Sequence, residues 1–490
     1  MAQTDILLTT INAKWVHPSL ALRLLKANLG VLEDRCTILE FALRQSLAEK
    51  LEPILAAAPR ILGISVSIWN HKATVELLKA LKERWGAKDE EWGIHKPVII
   101  LGGPEVSYLP EESEIFDYAD WVIRGEGELA FLELCHRFLE KNSNTVQNSF
   151  TTGKFIDAPP VDLTIVESGY RLYTAEDLNR KLVYVEASRG CPFGCEFCQS
   201  AISAGVREFP PDRFLGEMER LIERGARGFK FLDRTFNLDI ERARTIMEFF
   251  LERLQPSMYV HFEMVPARFP TELRELLRRF PAGSLRLEVG IQTFNSNTAA
   301  LIGRLSNPEK ELETLHFLRQ ETRAIVHADL IAGLPGEDMA SFGQGFDLLW
   351  QARPTEIQLG ILKCLPGTPI ARHTKTYNMT PGAIAPVQSF LSESDPKGRM
   401  VYAPEPPYEV LETADLSAAD LDRIKNFARF WELIVNRGVF PDLVPKLFPE
   451  GQPVFERFMA LSDALLARFG RNWGIDRSEL REAVDGFSGP

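Results

Sequence analysis

The stretch ASRGCPFGCEFCQSAIS, residues 187–203, decides how this chain is read. It places Cys191, Cys195 and Cys198 at spacings of four and three residues. A structural zinc site takes four ligands, usually as two separated pairs. No fourth Cys or His lies near this cluster in sequence, and only distant residues such as His261 or His327 could complete such a set. Three thiolates suit a four-iron cubane better. Electron-transfer clusters are usually held by four cysteines, so three leave one iron open to an exchangeable ligand. Gly190 and Gly194 let the loop turn tightly around an inorganic core, and Pro192 and Phe193 shield it. Cys36, Cys135 and Cys364 sit in apolar contexts and read as core. A reducing compartment speaks against disulfides.

The loop follows the strand LVYVEA and opens an alternation of strands and helices over residues 181–365. The further strands are GFKFLD, YVHFEMV, LRLEVGIQT, IVHADLIAG and EIQLGILK, separated by helices such as DRFLGEMERLIERG and PEKELETLHFLRQ. Six strands are too few for a closed eight-stranded barrel, so an open (β/α)6 partial barrel is expected, with its site at the carboxyl ends of the strands. Residues 1–140 alternate in the same way through DILLTT, CTILEFAL, ILGISVSI, KPVIILGG and DWVIRGEG. They predict a flavodoxin-like doubly wound α/β domain that binds its ligand beyond the strands' carboxyl ends. Residues 141–180 lose periodicity and read as a linker. Residues 366–410, rich in Pro and Gly, read as an ordered wrap, and 411–490 as α-helical. SAADLDRIKNFARFWELIVNRG puts Leu421, Ile424, Phe427, Ala428, Trp431 and Val435 on one face, with Ser417 as its cap and Gly438 at its end.

The chain has 490 residues, 45% apolar and 25% charged, enough for roughly three domains with substantial cores. A net charge of -12 disfavours nucleic acid and anionic membrane surfaces. No apolar run is long enough to span a bilayer. The N-terminus carries an acid where a signal peptide carries bases, so a cytoplasmic location is expected. There is no G-x-G-x2-G after the first strand and no Walker sequence, which argues against a nucleotide or flavin in the first domain.

CPFGCEFC matches the Cys-x3-Cys-x2-Cys signature of the radical SAM superfamily, with Phe197 as the preferred aromatic before the third cysteine. With a doubly wound domain ahead of the barrel, nearly the whole chain resembles the cobalamin-binding class of that superfamily. The resemblance implies a 4Fe-4S cluster on Cys191, Cys195 and Cys198, and an open iron for S-adenosyl-L-methionine, which one electron cleaves to a 5'-deoxyadenosyl radical. It implies that Phe197, Asp233, Glu288, Gln292 and Gly333 contact S-adenosylmethionine. FKFLDRTFN lacks the family's Gly-Gly-Glu run, so Asp233 stands in for it. For cobalamin it implies Thr10 and Asn12; Ser65, Ser67 and Trp69 in GISVSIWN; Gly102, Gly103, Pro104 and Glu105 in LGGPEVS; and Gly125, Glu126 and Gly127 in VIRGEGE. The plainer readings are a turn shaped by Gly333 and Gly336, and ion pairs from Asp233 or Glu288 to Arg268 or Arg286.

An Asp-x-His-x2-Gly motif, which supplies a cobalt-ligating histidine, is absent. His17 and His71 are therefore read as surface or supporting groups, with Trp69 or Asn70 covering the lower face of the corrin. YAPEPPYEVLETADLS resembles a tail of one subgroup of these proteins, and puts Tyr402, Tyr408 and Glu409 either on the substrate side or in a structural wrap. Methylthiotransferases are disfavoured, because only Cys36 and Cys135 lie upstream and no basic module closes the chain. The expected activity is methylation of an unactivated carbon or a phosphinate, in a small-molecule or peptide substrate, via methylcobalamin. A reducing donor such as flavodoxin or ferredoxin is the expected partner. The alternatives are a non-methylating rearrangement or cyclisation, and a non-catalytic corrinoid or cluster sensor.

Overall fold

A computed structural model of the chain describes residues 4–86, 96–140, 153–202, 205–374, 400–449 and 451–487. They fall into two compact units, one formed by residues up to 189 together with 207–232, the other by 190–206 and the described residues from 233 onward. No described helix is long and apolar enough to cross a membrane.

In the first unit the run ILLTTIN is buried along its whole length and forms strand β1 (Ile6–Asn12). A continuous apolar run of this kind marks a parallel strand covered on both faces. The strands β2 (Cys36–Ala42), β3 (Ile61–Ser65), β4 (Val98–Gly102), β5 (Trp121–Gly125) and β6 (Phe155–Ala158) join it. All pair parallel, in the order β2-β1-β3-β4-β5-β6. The helices are α1 (Leu20–Ala27), α2 (Leu47–Ala57), α3 (His71–Gly86) and α4 (Glu128–Leu139). Order reverses between β1 and β3, and such switch points are where doubly wound sheets bind ligands. Ile6, Leu8, Ile61, Ile100 and Ile123 share one core cluster with Leu22, Phe131 and Leu134. Cys36 and Cys135 lie in it, and burial pushes the Cys36 thiol up to about 12.

The expected linker holds two ordered elements. β6 extends the sheet at its β5 edge, and α5 (Ala175–Arg180) begins at a capping box between Thr174 and Asp177. A four-residue strand is too short to show periodicity, which is why FIDA escapes a reading by pattern. Residues 141–152 of that stretch lie outside the described residues. Strand β7 (Val183–Val185) then pairs parallel with β10 (Gly228–Phe231). Between them, β8 (Ser188–Cys191) and β9 (Gly205–Glu208) form the two stems of the cysteine loop, followed by α6 (Pro211–Glu223).

The second unit carries the remaining four strands read from the sequence: β11 (Tyr259–Met264), β12 (Leu285–Gln292), β13 (Ile325–Ala332) and β14 (Glu356–Ile361). They are parallel neighbours in that order. The helices α7 (Ile240–Glu252), α8 (Thr271–Arg278), α9 (Ser296–Leu301), α10 (Pro308–Glu321) and α11 (Met339–Ala352) alternate with them. Along β12, Leu285, Leu287, Val289 and Ile291 are buried, while Arg286, Glu288, Gly290 and Gln292 between them are half-buried. Along β13 the half-buried set is Ile325, His327, Asp329 and Ile331. Closed barrels fill the inner face with branched apolar residues; here one face of the sheet is largely polar.

The C-terminal part adds β15 (Val401–Tyr402), β16 (Val410–Glu412), α12 (Ala418–Trp431), α13 (Val444–Leu447), α14 (Phe455–Phe469) and α15 (Arg477–Asp485). Ser417 caps α12 through a capping box with Asp420, as expected. The regular helix does not run to Gly438, because Glu432–Asn436 forms a wider π turn. The inserted turn shifts the face, so Ile434 is buried and Val435 only half-buried. It also brings the Asn436 carboxamide to β14, where it donates to the Ile357 carbonyl (2.9 Å) and accepts from the Ile357 N–H (3.3 Å). That satisfies part of an otherwise open strand edge. The Pro-rich wrap extends the same edge, with the Val410 N–H donating to the Leu362 carbonyl (2.9 Å). PGAIAP, within the wrap, lies outside the described residues.

Candidate functional site

At the switch point of the first unit, most of the polar side chains are occupied with the chain itself. Asn70 is fully buried. Its Oδ1 accepts from the Ser67 N–H (2.8 Å), and its Nδ2 donates to the Ile11 carbonyl (3.0 Å) and Thr10 Oγ1 (3.2 Å). Thr10 donates to the Ser65 carbonyl (2.8 Å), and Asn12 to Glu40 Oε1 (3.2 Å). Thr10 and Asn70 thus stitch the ends of β1 and β3 together, Asn12 ties β1 to β2, and Asn70 is not open to a ligand. Three large apolar side chains are exposed at this edge, Trp69 (52%), Trp15 (41%) and Leu43 (37%), beside the exposed Lys14 and Arg44. The Trp69 indole N–H is fixed on the Ile11 carbonyl (3.3 Å), so its ring is a braced, outward surface.

Other residues of this edge divide similarly. Gly103 has φ +104, and a Cβ there would lie 2.5 Å from the Val66 carbonyl, so the backbone demands glycine. Gly102 has more room, and Pro104 is exposed. Glu105 is buried, with Oε1 against His71 Nδ1 (2.9 Å). His17 is bound to the Tyr184 hydroxyl (2.9 Å); burial, with Lys14 and Lys230, lowers its pKa. Gly125 receives Ser107 Oγ at its N–H (3.2 Å), and Gly127 precedes α4. Glu126 carries ion pairs that the sequence did not announce. Its carboxylate accepts from Arg207, from Arg189 (3.2 Å) and from the Val161 N–H (2.9 Å).

In the second unit Cys191 is buried and Cys195 and Cys198 are half-buried, all as free thiols. Gly190 has φ +99, and a Cβ there would sit 2.2 Å from the Gly205 carbonyl, so the turn requires it. Gly194 is under no such constraint; a Cβ there meets nothing, and it is Gly303 that must remain small against the Gly194 carbonyl. Burial raises the pKa of Cys191, opposed by the Phe193 N–H and by Arg234, while the neighbouring thiols add to the rise. Burial also raises Cys195, opposed by Arg304, whose guanidinium donates to the Gly290 carbonyl. Phe197 is half-buried beside the third cysteine.

Glu196 is the acid within the loop. Its carboxylate is held by Arg372 (2.5 Å) and His373 (3.1 Å), and its backbone by Ile302 and Ile370. Among the described residues, no three His, Cys, Asp or Glu side chains form a set that could hold a metal ion. A single zinc needs ligands converging on one point, whereas a cubane takes each thiolate at a different corner.

The polar face of β11–β14 lies beyond these thiols in sequence. Register places Glu263, Glu288, His327 and Glu356 in one row across four strands. Glu263 pairs with Arg234 (3.2 Å), Glu288 with His261 (3.4 Å), and Glu356 approaches His327 (3.6 Å). The Arg234 pKa is raised first by Glu263, then by Cys198 and Glu288, against the effect of burial. Gln292 has φ +70, at a register shift between β12 and β13. Its carboxamide folds back over Gly290, where a Cβ would lie 2.5 Å from Nε2. Strain at a non-glycine residue of this kind clusters at ligand sites.

Asp233 is 1% exposed. At Gly333, Val410 and Leu421 fill the position a Cβ would take. Tyr408 is buried and Glu409 pairs with Lys425 (3.4 Å), which gives the wrap a structural part. Asn237, from the same strand end as Asp233, bonds the Val265 and Arg268 backbone (2.7–3.0 Å). Arg234, Arg304, Arg372 and His373 are the residues that sequence reasoning missed. Arg234 adjoins a quoted strand end, but nothing in the local pattern marks the other three.

The fold and the thiols together define an α/β protein with one domain suited to a broad, flat ligand and another to an iron–sulfur cluster. Residues 6–135 match the family described as B12 binding domain, and 185–349 the Radical SAM superfamily. Residues 397–467 match the family described as Protein of unknown function (DUF4080). The chain thus pairs a B12 binding domain with a radical SAM domain, the combination found in the cobalamin-binding class of the radical SAM superfamily. The cofactors of that class are a 4Fe-4S cluster, S-adenosylmethionine and cobalamin; three thiols in a braced loop fit the first, and the apolar rim fits the last.

The chain is 24% identical over 338 residues to the cobalamin-dependent radical SAM methyltransferase TokK of Streptomyces tokunonensis, covering 63% of this chain and 48% of that protein. It is 24% identical over 388 residues to the 2-(S-pantetheinyl)-carbapenam-3-carboxylate methyltransferase of Streptantibioticus cattleyicolor, covering 73% and 53%. The chain thus spans about half the length of these curated relatives. In fold it is similar to the radical S-adenosylmethionine methyltransferase TsrM from Kitasatospora setae, with TM-score 0.57, 18% identity, and coverage of 75% and 76%. It is likewise similar to the cobalamin-dependent S-adenosylmethionine radical enzyme OxsB, with TM-score 0.57, 14% identity, and coverage of 98% and 78%.

Proposed function

We propose that this chain is a cobalamin-dependent radical SAM methyltransferase acting on an unactivated carbon, or a phosphinate, of a small-molecule or peptide substrate. The observation that carries the reading is the state of the cysteine loop. Three thiols share it, and its own carboxylate, Glu196, is already engaged by Arg372 and His373. The bound cofactors supply the chemistry: the cluster with S-adenosylmethionine gives a hydrogen-abstracting radical, and the corrinoid donates the methyl group.

The protein's part is to hold and to shield. Cys191, Cys195 and Cys198 hold the cluster, and Arg234 and Arg304 place positive charge beside the thiols. Arg234 is itself braced by Glu263. Gln292 and Glu288, at and below the carboxyl end of β12, present polar groups for an amino-acid or ribose moiety. Trp69, Trp15 and Leu43 offer an apolar surface for a corrin. His17 and His71 are held through Nδ1 by Tyr184 and Glu105, and Trp69 would offer an apolar surface to the lower side of a corrin. A reducing donor such as a flavodoxin or ferredoxin, and a reducing cytoplasmic setting, complete the proposal.

The test is anaerobic reconstitution with iron, sulfide and hydroxocobalamin, followed by dithionite and methyl-labelled S-adenosylmethionine. The expected result is 5'-deoxyadenosine together with label in a product. 5'-Deoxyadenosine with no label transferred assigns a rearrangement or cyclisation instead. No 5'-deoxyadenosine at all assigns a sensor and contradicts the enzyme reading.

A further inference from the structure

We propose that Glu126 and Glu128, in the run Arg124-Gly-Glu-Gly-Glu128, are positioning residues for the cysteine loop. The inference rests on the cofactor reading above and adds to it a physical link between the ligand edge of the first sheet and the stems of that loop.

Arg189 and Arg207 are where the chain enters and leaves residues 190–206, the segment that holds all three cysteines. One carboxylate ties both stems: Glu126 pairs with Arg189 (3.2 Å) and with Arg207. Glu128 and Glu186 complete the grip on Arg189, each at 2.8 Å. The Arg189 guanidinium also lies over the Phe209 ring (5.6 Å), and the Phe209 N–H donates to the Ala187 carbonyl (3.0 Å). Arg207 donates to the Val161 carbonyl (2.7 Å), and Val161 in turn donates to Glu126. Arg189, Glu128 and Glu186 are largely buried. Pulling a buried guanidinium away from carboxylates that share its desolvated site is costly, so the stems cannot drift without cost.

The other end of the device is equally constrained. Glu126 and Glu128 lie in the turn from β5 to α4, at the carboxyl edge where a doubly wound sheet binds its ligand. Gly125 has φ +82, and a Cβ there would lie 2.5 Å from the Ala158 carbonyl, so the turn has little freedom of its own. A ligand that orders this turn acts on Glu126, and through it on both stems. The coupling is reciprocal by linkage: occupancy of the corrin edge changes the cluster's surroundings, and a loaded cluster tightens the corrin edge. The sequence points to Gly125, Glu126 and Gly127 for cobalamin contact, and the structure adds ion pairs from Glu126 to Arg189 and Arg207.

The experiment compares full-length wild type with Glu126→Gln and Glu128→Gln, each anaerobically reconstituted. Glu111→Gln, which removes only an exposed pair to Arg124, is the control. Three quantities are read: iron retained under chelator challenge, the shift in the reduced cluster's EPR spectrum on adding S-adenosylmethionine, and the further shift on adding cobalamin. The expected result is about a 10- to 100-fold loss of iron retention in Glu126→Gln, the range for groups that orient metal ligands. Glu128→Gln shows a smaller loss, Glu126→Asp recovers part of it, and the cobalamin-induced shift disappears in Glu126→Gln. If Glu126→Gln does not fold, Arg207→Lys, which keeps the charge and loses the fork, decides by the same readings. A wild type whose cluster responds to S-adenosylmethionine, matched in all three readings by the variant, overturns this inference alone. A wild type with no such cluster overturns the cofactor reading beneath it.

Discussion

The rim of the first sheet and the polar face of β11–β14 use hydrogen-bonding side chains in opposite ways. At the first, Asn70 and Thr10 turn inward and bond the backbone of β1 and β3, leaving Trp69 and Trp15 outward. At the second, apolar residues are buried and Arg286, Glu288, Gln292, His327 and Asp329 occupy the alternate positions. The difference matches ligand chemistry. A corrin is broad and largely apolar, so a flat surface with a rigid rim serves it. S-Adenosylmethionine and a polar substrate need charged partners at defined points, which paired carboxylates, imidazoles and guanidiniums supply.

The comparison can be broken most severely at the thiols. Cys195→Ala is expected to abolish both the cluster absorbance and 5'-deoxyadenosine, while cobalamin still binds; loss of cobalamin as well would mean the two regions are not separate in role. Next, Glu196→Gln leaves Arg372 and His373 without their carboxylate, and is expected to lower iron retention by about 10- to 100-fold. Iron content after desalting checks it, and wild-type retention would remove Glu196 from the bracing of the loop.

Asn70→Ala tests whether the first rim is built for stability. It strands the Ser67 N–H and the Ile11 carbonyl in a buried site, and about 3 kcal/mol of stability should be lost. Urea unfolding followed by tryptophan fluorescence reads this directly. In the second region, Glu337 is buried with Thr293 donating to it (2.5 Å), and burial raises its pKa from 4.5 to about 7. The unfolded chain loses that proton near the ordinary carboxyl value and the folded chain keeps it longer. The folded state therefore binds more protons between those two values, and stability falls as pH rises through them. About 2 kcal/mol of this slope should vanish in Glu337→Gln, once relaxation around the carboxyl is allowed for; urea midpoints from pH 4.5 to 8 check it. The smallest effect is at Trp69. Trp69→Ala should weaken cobalamin binding about tenfold and leave thermal stability nearly unchanged, because the ring is outward. A large stability loss with unchanged affinity would make the tryptophan part of the core instead.

Much of the architecture was legible because long apolar runs and helical spacing carry it. β1 is seven consecutive buried residues, and the alternation in LRLEVGIQ survives intact in β12. β6 was not legible, since four residues hold no period, and the π turn after Trp431 moved burial from Val435 to Ile434. At the site, the cysteines were readable because spacing within one loop is a sequence property. The ion pairs of Glu126 were not legible because its arginines lie 63 and 81 positions away. At Gly333, Val410 and Leu421 occupy the position of a Cβ, and nothing near residue 333 announces them. The general cause is the same in each case: a motif tells which backbone must turn, while long-range packing decides what fills the turn.

The most direct measurement of the central claim is Mössbauer and EPR spectroscopy of the anaerobically reconstituted protein, with and without S-adenosylmethionine. The account predicts one four-iron cluster whose unique iron changes its signal when S-adenosylmethionine is added. Four equivalent, protein-ligated iron sites that ignore S-adenosylmethionine would contradict it.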